Sequence, residues 1–214
     1  MLQSLDWSIL WQFRAALWNG LLTTLWISAV GILGSTLAGV AVGCLAAVPS
    51  LLLRRLTASY TELLRNLPVI VKLFFLYFVL GVPAIPAALL TLILHQSAYI
   101  ADVTRAGIRS VPRGQVDAGL SLGHGWWQIY RHILLPQVLR IVIPPMTTQY
   151  VSVVKNSAVV ALISVEDLTY QTQEINVETF RGFEAATAAT VLYIAISAVV
   201  IGAMTRLYAR LAGP

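Results

Sequence analysis

DAGLSLGHGWWQIYRHILLP, residues 117–136, is a long polar interruption in a hydrophobic chain, and its pattern is the most informative in the sequence. Glycine permits a tight turn, whereas proline is tolerated at the start of a helix but not in its interior. The stretch therefore predicts a short helix that begins at Asp117, a turn at Gly123 and a new helix from Pro136. An acid at the start of a helix complements the partial positive charge of the helix N-terminus.

The composition of the chain is that of a membrane protein. Of its 214 residues, 58% are hydrophobic and 11% are charged, whereas a soluble domain carries about 25% charged residues. The net charge of +5 does not indicate nucleic-acid binding, because the basic residues lie at the ends of apolar segments rather than on one exposed stripe.

Five apolar runs are long enough to cross a bilayer as helices, at about 20 residues each. They cover residues 21–48, 56–80, 85–107, 138–163 and 185–207, with the second most apolar over 67–80. No alternation typical of strands competes with these runs. We therefore expect an all-α membrane protein with five transmembrane helices in one domain, residues 1–214.

The distribution of charge predicts the orientation of these helices. Nine arginines cluster after the first span, between the third and fourth, and after the fifth: Arg54, Arg55, Arg105, Arg109, Arg113, Arg131, Arg140, Arg206 and Arg210. The opposite side holds six acids and two arginines: Asp6, Glu166, Asp167, Glu174, Glu178, Glu184, Arg14 and Arg181. Because cytoplasmic loops are enriched in Lys and Arg, we expect the N-terminus outside and the C-terminus inside. The polar stretch is then cytoplasmic.

No residue pattern indicates chemistry within this chain. His95, His124 and His132 have no metal-ligand spacing, so no metal site is expected. Catalytic motifs and the phosphate-binding loop G-x-x-x-x-G-K-[ST] are missing from the sequence. A membrane-embedded enzyme is therefore disfavoured. The single cysteine, Cys44, lies in an apolar run, which predicts a buried, inert thiol.

The spacing of residues 117–136 resembles the EAA loop of ABC-importer permeases, Glu-Ala-Ala-x3-Gly followed nine residues later by Ile-x-Leu-Pro. Asp117 replaces the Glu, and Gly119 replaces the second Ala. The resemblance implies a type I importer permease (MetI-like) fold in which residues 108–136 form two short cytoplasmic helices that dock on an ATPase subunit. Trp126 and Trp127 could alternatively anchor an ordinary interfacial hairpin. The resemblance assigns coupling to Gln115, Asp117, Ala118, Gly119, Leu120, Gly123, His124, Trp127 and Pro136, with Gln115, Leu120, His124 and Trp127 facing the partner.

Three further stretches are similar to the polar amino-acid branch of these permeases, which imports histidine, glutamine, glutamate or aspartate. They comprise residues 60–68 with 73–78, residues 97–115, and residues 143–145 with 155–159. The resemblance implies a multi-pass subunit of the bacterial inner (plasma) membrane that works by alternating access. Its partners would be ABC ATPase subunits, a second permease subunit (a copy or a paralogue) and an extracytoplasmic substrate-binding protein. This chain would bind no cofactor, because ATP and Mg would sit on the ATPase.

Five polar residues are candidates for substrate binding within the bundle: Lys72, Thr148, Lys155, Asn156 and Ser157. Lys72 would lie about 24 Å along a continuous helix from Leu56, where it could attract a carboxylate or snorkel to the outer headgroups. In the resembled branch, the lysine that corresponds to Lys155 is often followed by an acid, which would suit a cationic substrate. In this chain, Lys155 is followed by Asn156, which is uncharged. Glutamate, aspartate or glutamine is therefore expected. The alternatives are a basic amino acid (arginine, histidine or lysine) and an ion-coupled secondary transporter.

The charged pairs of the spans and one acidic segment each allow two interpretations. Asp102 with Arg105, and Glu62 with Arg65, stand three residues apart and are expected to form structural ion pairs rather than a gate. The acidic outer segment, residues 166–184, could contact a binding protein or be a solvated connector.

Overall fold

The computed structural model describes residues 5–212, so residues 1–4 and 213–214 of the expected single domain lie outside the described part. All regular elements in residues 5–212 are helical. Ten α-helices follow in order: α1 Ser8–Gln12, α2 Arg14–Ala47, α3 Leu51–Asn66, α4 Val69–Phe74, α5 Ala84–Arg109, α6 Arg113–Ser121, α7 Trp126–Ile129, α8 Leu135–Ser157, α9 Leu168–Thr179 and α10 Gly182–Ala212. π turns follow α4 (Phe75–Val79) and α7 (Tyr130–Leu134), and a 3-10 segment follows α8 (Ala158–Ile163).

Three of the described helices are long and apolar enough to cross a membrane: Arg14–Ala47, Ala84–Arg109 and Gly182–Leu211. They contain the first, third and fifth predicted runs, with ends that differ by a few residues. The fourth run corresponds to α8 and its 3-10 segment. α8 carries Pro144 and Pro145 in its interior.

The second predicted run is not one continuous helix, and the prediction was wrong on this point. α3 ends at Asn66, and α4 begins after Pro68, whose extended backbone (ψ 147°) precedes the new helix. The residue before a proline is disfavoured in helical conformation, which ends α3 here. The apolar part beyond the break, Val69–Val79, is shorter than a full span. The depth calculated for Lys72 along one straight helix therefore does not hold.

The chain divides into two compact units, each built from three segments. The first unit comprises Met1–Leu33, Leu67–Ile93 and Ser152–Val199. One of its cores joins α2, α4, α5 and the 3-10 segment through the buried side chains Ile27, Leu73, Leu92, Val160 and Ile163. A second core joins α1, α2, α9 and α10 through Ile9, Leu17, Leu168, Ile175 and Ala185.

The second unit comprises Gly34–Asn66, Leu94–Val151 and Val200–Pro214. Its core is formed by Ile100, Val142 and Met146, with Val40 and Met204 packed against them. Interhelical hydrogen bonds supplement this packing. Thr36 Oγ1 donates to Tyr150 Oη at 3.0 Å, and the hydroxyls of Tyr60 and Ser97 are 2.7 Å apart. Such bonds stabilise membrane bundles by about 0.6 kcal/mol each.

Candidate functional site

The polar stretch of the sequence forms a helical hairpin in the second unit, made of α6, a turn and α7. Gly123 lies in the turn with φ +80°, a left-handed conformation that glycine adopts without strain. Gly119 lies where the two arms meet. A Cβ at this position would be 2.9 Å from Ile133 Cδ1 and 3.1 Å from Ile129 Cγ1. The predicted turn at Gly123 is thus confirmed, and Gly119 sets how closely the arms approach.

Two details of the predicted hairpin were wrong. Asp117 does not begin the first helix, because α6 starts at Arg113 and has no acid in its first turn. Asp117 therefore cannot complement that helix end. The second arm is also not a separate short helix, since α7 continues through the π turn into α8. Pro136 lies in the first turn of α8, within this continuous helical stretch, so it does not begin a separate helix as expected.

Large apolar side chains of the hairpin are exposed. Leu122 and Trp127 are 78% and 69% exposed, and Trp126 and Tyr130 are also open to the surroundings. The rings of Trp127 and Tyr130 stack with centroids 5.9 Å apart. We call Leu120, Leu122, Trp126, Trp127 and Tyr130 the exposed hairpin residues. Large exposed apolar side chains on one hairpin are typical of an interaction site.

The structure brings all nine candidate coupling residues into the second unit. Gly119 is buried, whereas the other eight are exposed: Gln115, Asp117, Ala118, Leu120, Gly123, His124, Trp127 and Pro136. Gln137 Nε2 donates to Gln115 Oε1, which ties α6 to α8. Sequence reasoning missed Leu122 and Tyr130 as exposed members, although the neighbouring Trp126–Trp127 pair was a signal for them.

A three-residue ion network lies at α3 and α5 of the second unit. Arg105 Nη2 is 3.1 Å from Asp102 Oδ1, as predicted, and Arg65 Nη1 contacts Asp102 Oδ2. The Arg65 guanidinium also lies 5.1 Å from the centroid of the Tyr99 ring, a cation–π distance. The predicted Glu62–Arg65 pair does not form, because Arg65 reaches across to α5. Glu62 is exposed and makes no ion pair within residues 5–212.

Lys72 lies in α4 of the first unit and is buried, with 7% of its surface exposed. Its ammonium donates to the backbone carbonyl of Leu67 at 2.9 Å, directly at the break before Pro68. The side chain therefore turns back to the helix break.

The other candidate substrate residues lie on α8, in two different environments. Thr148 and Lys155 are both exposed, and they stand seven residues apart, which places them on the same side of the helix. Asn156 is half-buried. Ser157 is fully buried, and its hydroxyl donates to the Val154 carbonyl at 2.8 Å. In the first unit, the 3-10 segment after Ser157 packs against α4, the helix that carries Lys72.

The acidic segment, residues 166–184, includes α9 and contains a buried carboxylate that sequence reasoning missed. Asp167 caps α9 by accepting from the Tyr170 backbone N–H at 2.8 Å, and Tyr193 Oη donates to it at 3.0 Å. Burial raises the pKa of the Asp167 carboxyl to about 6, against these hydrogen bonds, which lower it. An Asp directly before a helix is a cap signal, but it does not reveal burial.

The same acidic segment borders a groove of about 290 Å³. Three carboxylates line this groove, those of Glu166, Glu174 and Glu178. No group of three or more His, Cys, Asp or Glu in residues 5–212 is arranged to hold a metal ion.

Residues 39–213 match the family described as binding-protein-dependent transport system inner membrane component. The chain is 32% identical over 213 residues to the glutamine transport system permease protein GlnP of Escherichia coli (strain K12), covering 96% of this chain and 97% of that protein. It is 32% identical over 207 residues to the glutamate/aspartate import permease protein GltJ of the same strain, covering 88% and 84%.

Two solved structures are similar in fold. A crystal structure of an amino acid ABC transporter with histidines superposes with a TM-score of 0.87 at 25% identity, covering 97% of this chain and 100% of that chain. An inward-facing conformation of the MetNI methionine ABC transporter superposes with a TM-score of 0.79 at 20% identity, covering 94% and 98%.

Proposed function

This chain belongs to the family of binding-protein-dependent transport system inner membrane components, and from that premise we propose that it imports glutamine, glutamate or aspartate. It is the permease subunit of an ABC transporter and not an enzyme. Its all-α fold is that of the MetI-like ABC permeases. The main support for the proposed mechanism is that the helical hairpin exposes large apolar side chains.

Five spans with the N-terminus outside and the C-terminus inside are the proposed topology. The net charges of the two units support this topology. The second unit holds ten arginines and three carboxylates, a net charge of +7, whereas the first holds four cations and six carboxylates, a net charge of −2. Because positive charge is enriched on the cytoplasmic side, the second unit is assigned to that side. α8 would be the polar span, since its Thr148 and Lys155 suit a water-filled pathway better than lipid.

The hairpin, residues 108–136, is the proposed coupling element to the ATPase. A membrane subunit that contains no phosphate-binding loop needs a mechanical contact with the subunit that binds ATP and Mg. Trp126, Trp127 and Leu122 offer that contact, because large aromatic side chains carry much of the binding energy at protein interfaces. α7 continues without interruption into α8. A displacement of the hairpin would therefore be transmitted directly to the helix that carries Lys155.

The substrate proposal rests on the polar residues of the spans. Lys155 is exposed on α8, and the acids Asp102 and Glu62 do not offset it, because Asp102 already contacts two arginines and Glu62 is exposed on α3. A cationic side chain brought to Lys155 would be repelled, whereas a carboxylate would be attracted. GlnP and GltJ, with which the chain shares 32% identity, are named for glutamine and for glutamate/aspartate. A basic amino acid is the alternative substrate.

The complete importer is proposed to contain two permease subunits, two ATPase subunits and an extracytoplasmic binding protein. Five spans make half of a pathway, so a second copy or a paralogue completes it. The acidic groove of α9, with Glu166, Glu174 and Glu178, is the proposed contact for the binding protein.

The substrate is tested by ATPase stimulation. The complex is reconstituted with its ATPase and binding protein, and ATP hydrolysis is measured with glutamine, glutamate, aspartate, arginine and histidine. We expect an acidic or amide amino acid to stimulate hydrolysis more than arginine. Strong stimulation by arginine alone would assign the basic alternative.

A further inference from the structure

A second, apolar groove of about 660 Å³ lies entirely within the second unit. Its walls come from α2, α5, α8, α10 and the π turn before α8, and they include Cys44, Val138, Met146, Met204, Leu207 and Leu211. Cys44 is exposed here, so the expectation of a buried thiol was wrong. The volume is in the range of small-molecule sites, about 300–1,000 Å³. The mechanism described above makes no use of this groove.

Arginine lies at the end of the groove that Leu211 lines. Leu211 lines the groove, and its backbone carbonyl accepts a hydrogen bond from Arg140 Nε at 2.7 Å. On α10, Arg210 directly precedes Leu211 and stands three residues after the lining residue Leu207, which places it on a neighbouring part of the helix surface. The lining residues include no carboxylate. An apolar cleft with cations at its end matches an amphiphile that has a long apolar tail and an anionic head.

We propose that the groove holds an acyl chain of an anionic phospholipid from the cytoplasmic leaflet, with the phosphate held by Arg140 and Arg210. Basic pockets between membrane helices on the cytoplasmic side bind anionic headgroups. Arginine suits this role, because its planar guanidinium pairs with phosphate oxygens in a bidentate manner. Arg140 uses one of its five N–H donors on Leu211 and retains the others. The proposal rests on the proposed function only for the assignment of the second unit to the cytoplasmic side.

The test uses photoactivatable lipids and the full chain in nanodiscs. Phosphatidylglycerol and phosphatidylcholine carry the same diazirine acyl chain, and cross-linked peptides are located by mass spectrometry. In the wild type we expect cross-links at residues 36–44, 134–150 and 204–211. Phosphatidylglycerol should exceed phosphatidylcholine there by at least about fivefold, the factor expected for one arginine near the membrane surface.

Two matched pairs of variants separate the contributions of chain and headgroup. Cys44→Trp fills the groove from an exposed position and should remove its cross-links, whereas Leu45→Trp, at an exposed neighbour that does not line the groove, should keep them. Arg140→Gln should reduce the preference for phosphatidylglycerol by about fivefold. Arg206→Gln should leave it unchanged, because Arg206 lies more than 90° around α10 from Leu207 and Leu211.

Three results would overturn the proposal. Equal cross-linking by the two lipids would mean that the groove accepts any acyl chain. Loss of the preference in Arg206→Gln as much as in Arg140→Gln would mean that the cations act only through the general surface charge. A groove without lipid cross-links, together with peptide cross-links to a second permease subunit, would assign the groove to the subunit interface. ATP-dependent uptake is measured separately, with the same variants reconstituted into vesicles together with the ATPase and the binding protein, so that failure of the lipid site is distinguished from failure of the proposed function.

Discussion

Gly119 of α6 lies against Ile133 of the following arm, so closely that a Cβ on Gly119 would stand 2.9 Å from Ile133 Cδ1. The obstacle is the far end of a flexible side chain, which can move by a few tenths of an ångström. One methyl group is therefore tolerable here, whereas a branched side chain is not. This explains how Gly119 can replace the alanine of the EAA pattern without loss of the hairpin.

Gly119→Val should disrupt the coupling of the hairpin to the ATPase, whereas Gly119→Ala should preserve it. Overpacking costs about 1–3 kcal/mol, so ATP-dependent uptake should fall by about tenfold for each 1.4 kcal/mol that the hairpin loses. Ile133→Ala in the Gly119→Val background should restore part of the uptake, because it removes the nearest opposing atom, Ile133 Cδ1. The contact would not be the cause if uptake stayed low in the double variant.

Gly123→Ala should destabilise the turn by about 1–2 kcal/mol through its backbone alone, since φ is +80° and a methyl group added there would have no neighbouring atom within 4 Å. Gly114→Ala is the matched control, because its surroundings are equally open and its φ is not in the left-handed region. We expect co-purification of the ATPase to decrease for Gly123→Ala and to be unchanged for Gly114→Ala. Equal retention by both variants would show that the turn conformation is not needed for coupling.

Asp102→Asn should lower stability by about 1–2 kcal/mol, because it leaves Arg65 and Arg105 facing each other without the carboxylate between them. Glu62→Gln should have no measurable effect, since Glu62 makes no ion pair within residues 5–212. Thermal unfolding of the purified subunit checks both variants. A larger loss in Glu62→Gln than in Asp102→Asn would restore the pairing expected from helix spacing.

The buried carboxylate Asp167 should make stability depend on pH. Its pKa is about 6 in the folded chain and 3.8 when unperturbed, so the folded state binds the proton more tightly between these values. The contribution of Asp167 to stability therefore falls as pH rises from about 4 to about 6, by up to about 2–3 kcal/mol. Asp167→Asn, which stays neutral, should gain stability relative to the wild type across this window. Glu166→Gln, at the exposed neighbour, should follow the wild type, and identical slopes for all three proteins would contradict the assignment.

The long helices were predictable because the length of an apolar run directly sets the length of a membrane helix. α5 and α10 therefore end within a few residues of the expected positions. The break between α3 and α4 was missed because an average over residues 56–80 conceals a single proline. The preference of the residue before Pro68 for extended backbone was the signal that could have revealed it. The contact of Lys72 with Leu67 depends on that break.

Contacts between distant residues could not be predicted from local spacing. Arg65 and Asp102 are 37 residues apart, and only the packing of α3 against α5 brings them together. Glu62–Arg65 has better local spacing, yet Arg65 lies on the side of α3 that faces α5. Asp167 likewise resembles a solvated acid beside Glu166, but Tyr193, 26 residues away, encloses it. In each case the partner is fixed by tertiary structure and not by neighbours in the sequence.

ATP-driven import is tested most directly by uptake into vesicles that contain the permease, its ATPase and its binding protein. Radiolabelled glutamine and glutamate are supplied with ATP inside or outside the vesicles, with and without a proton or sodium gradient. We predict uptake that requires ATP on the side of the hairpin, persists when the gradients are abolished, and is lost in the double variant Trp126→Ala/Trp127→Ala although the subunit remains folded. Uptake that requires a gradient and proceeds without ATP would contradict this account.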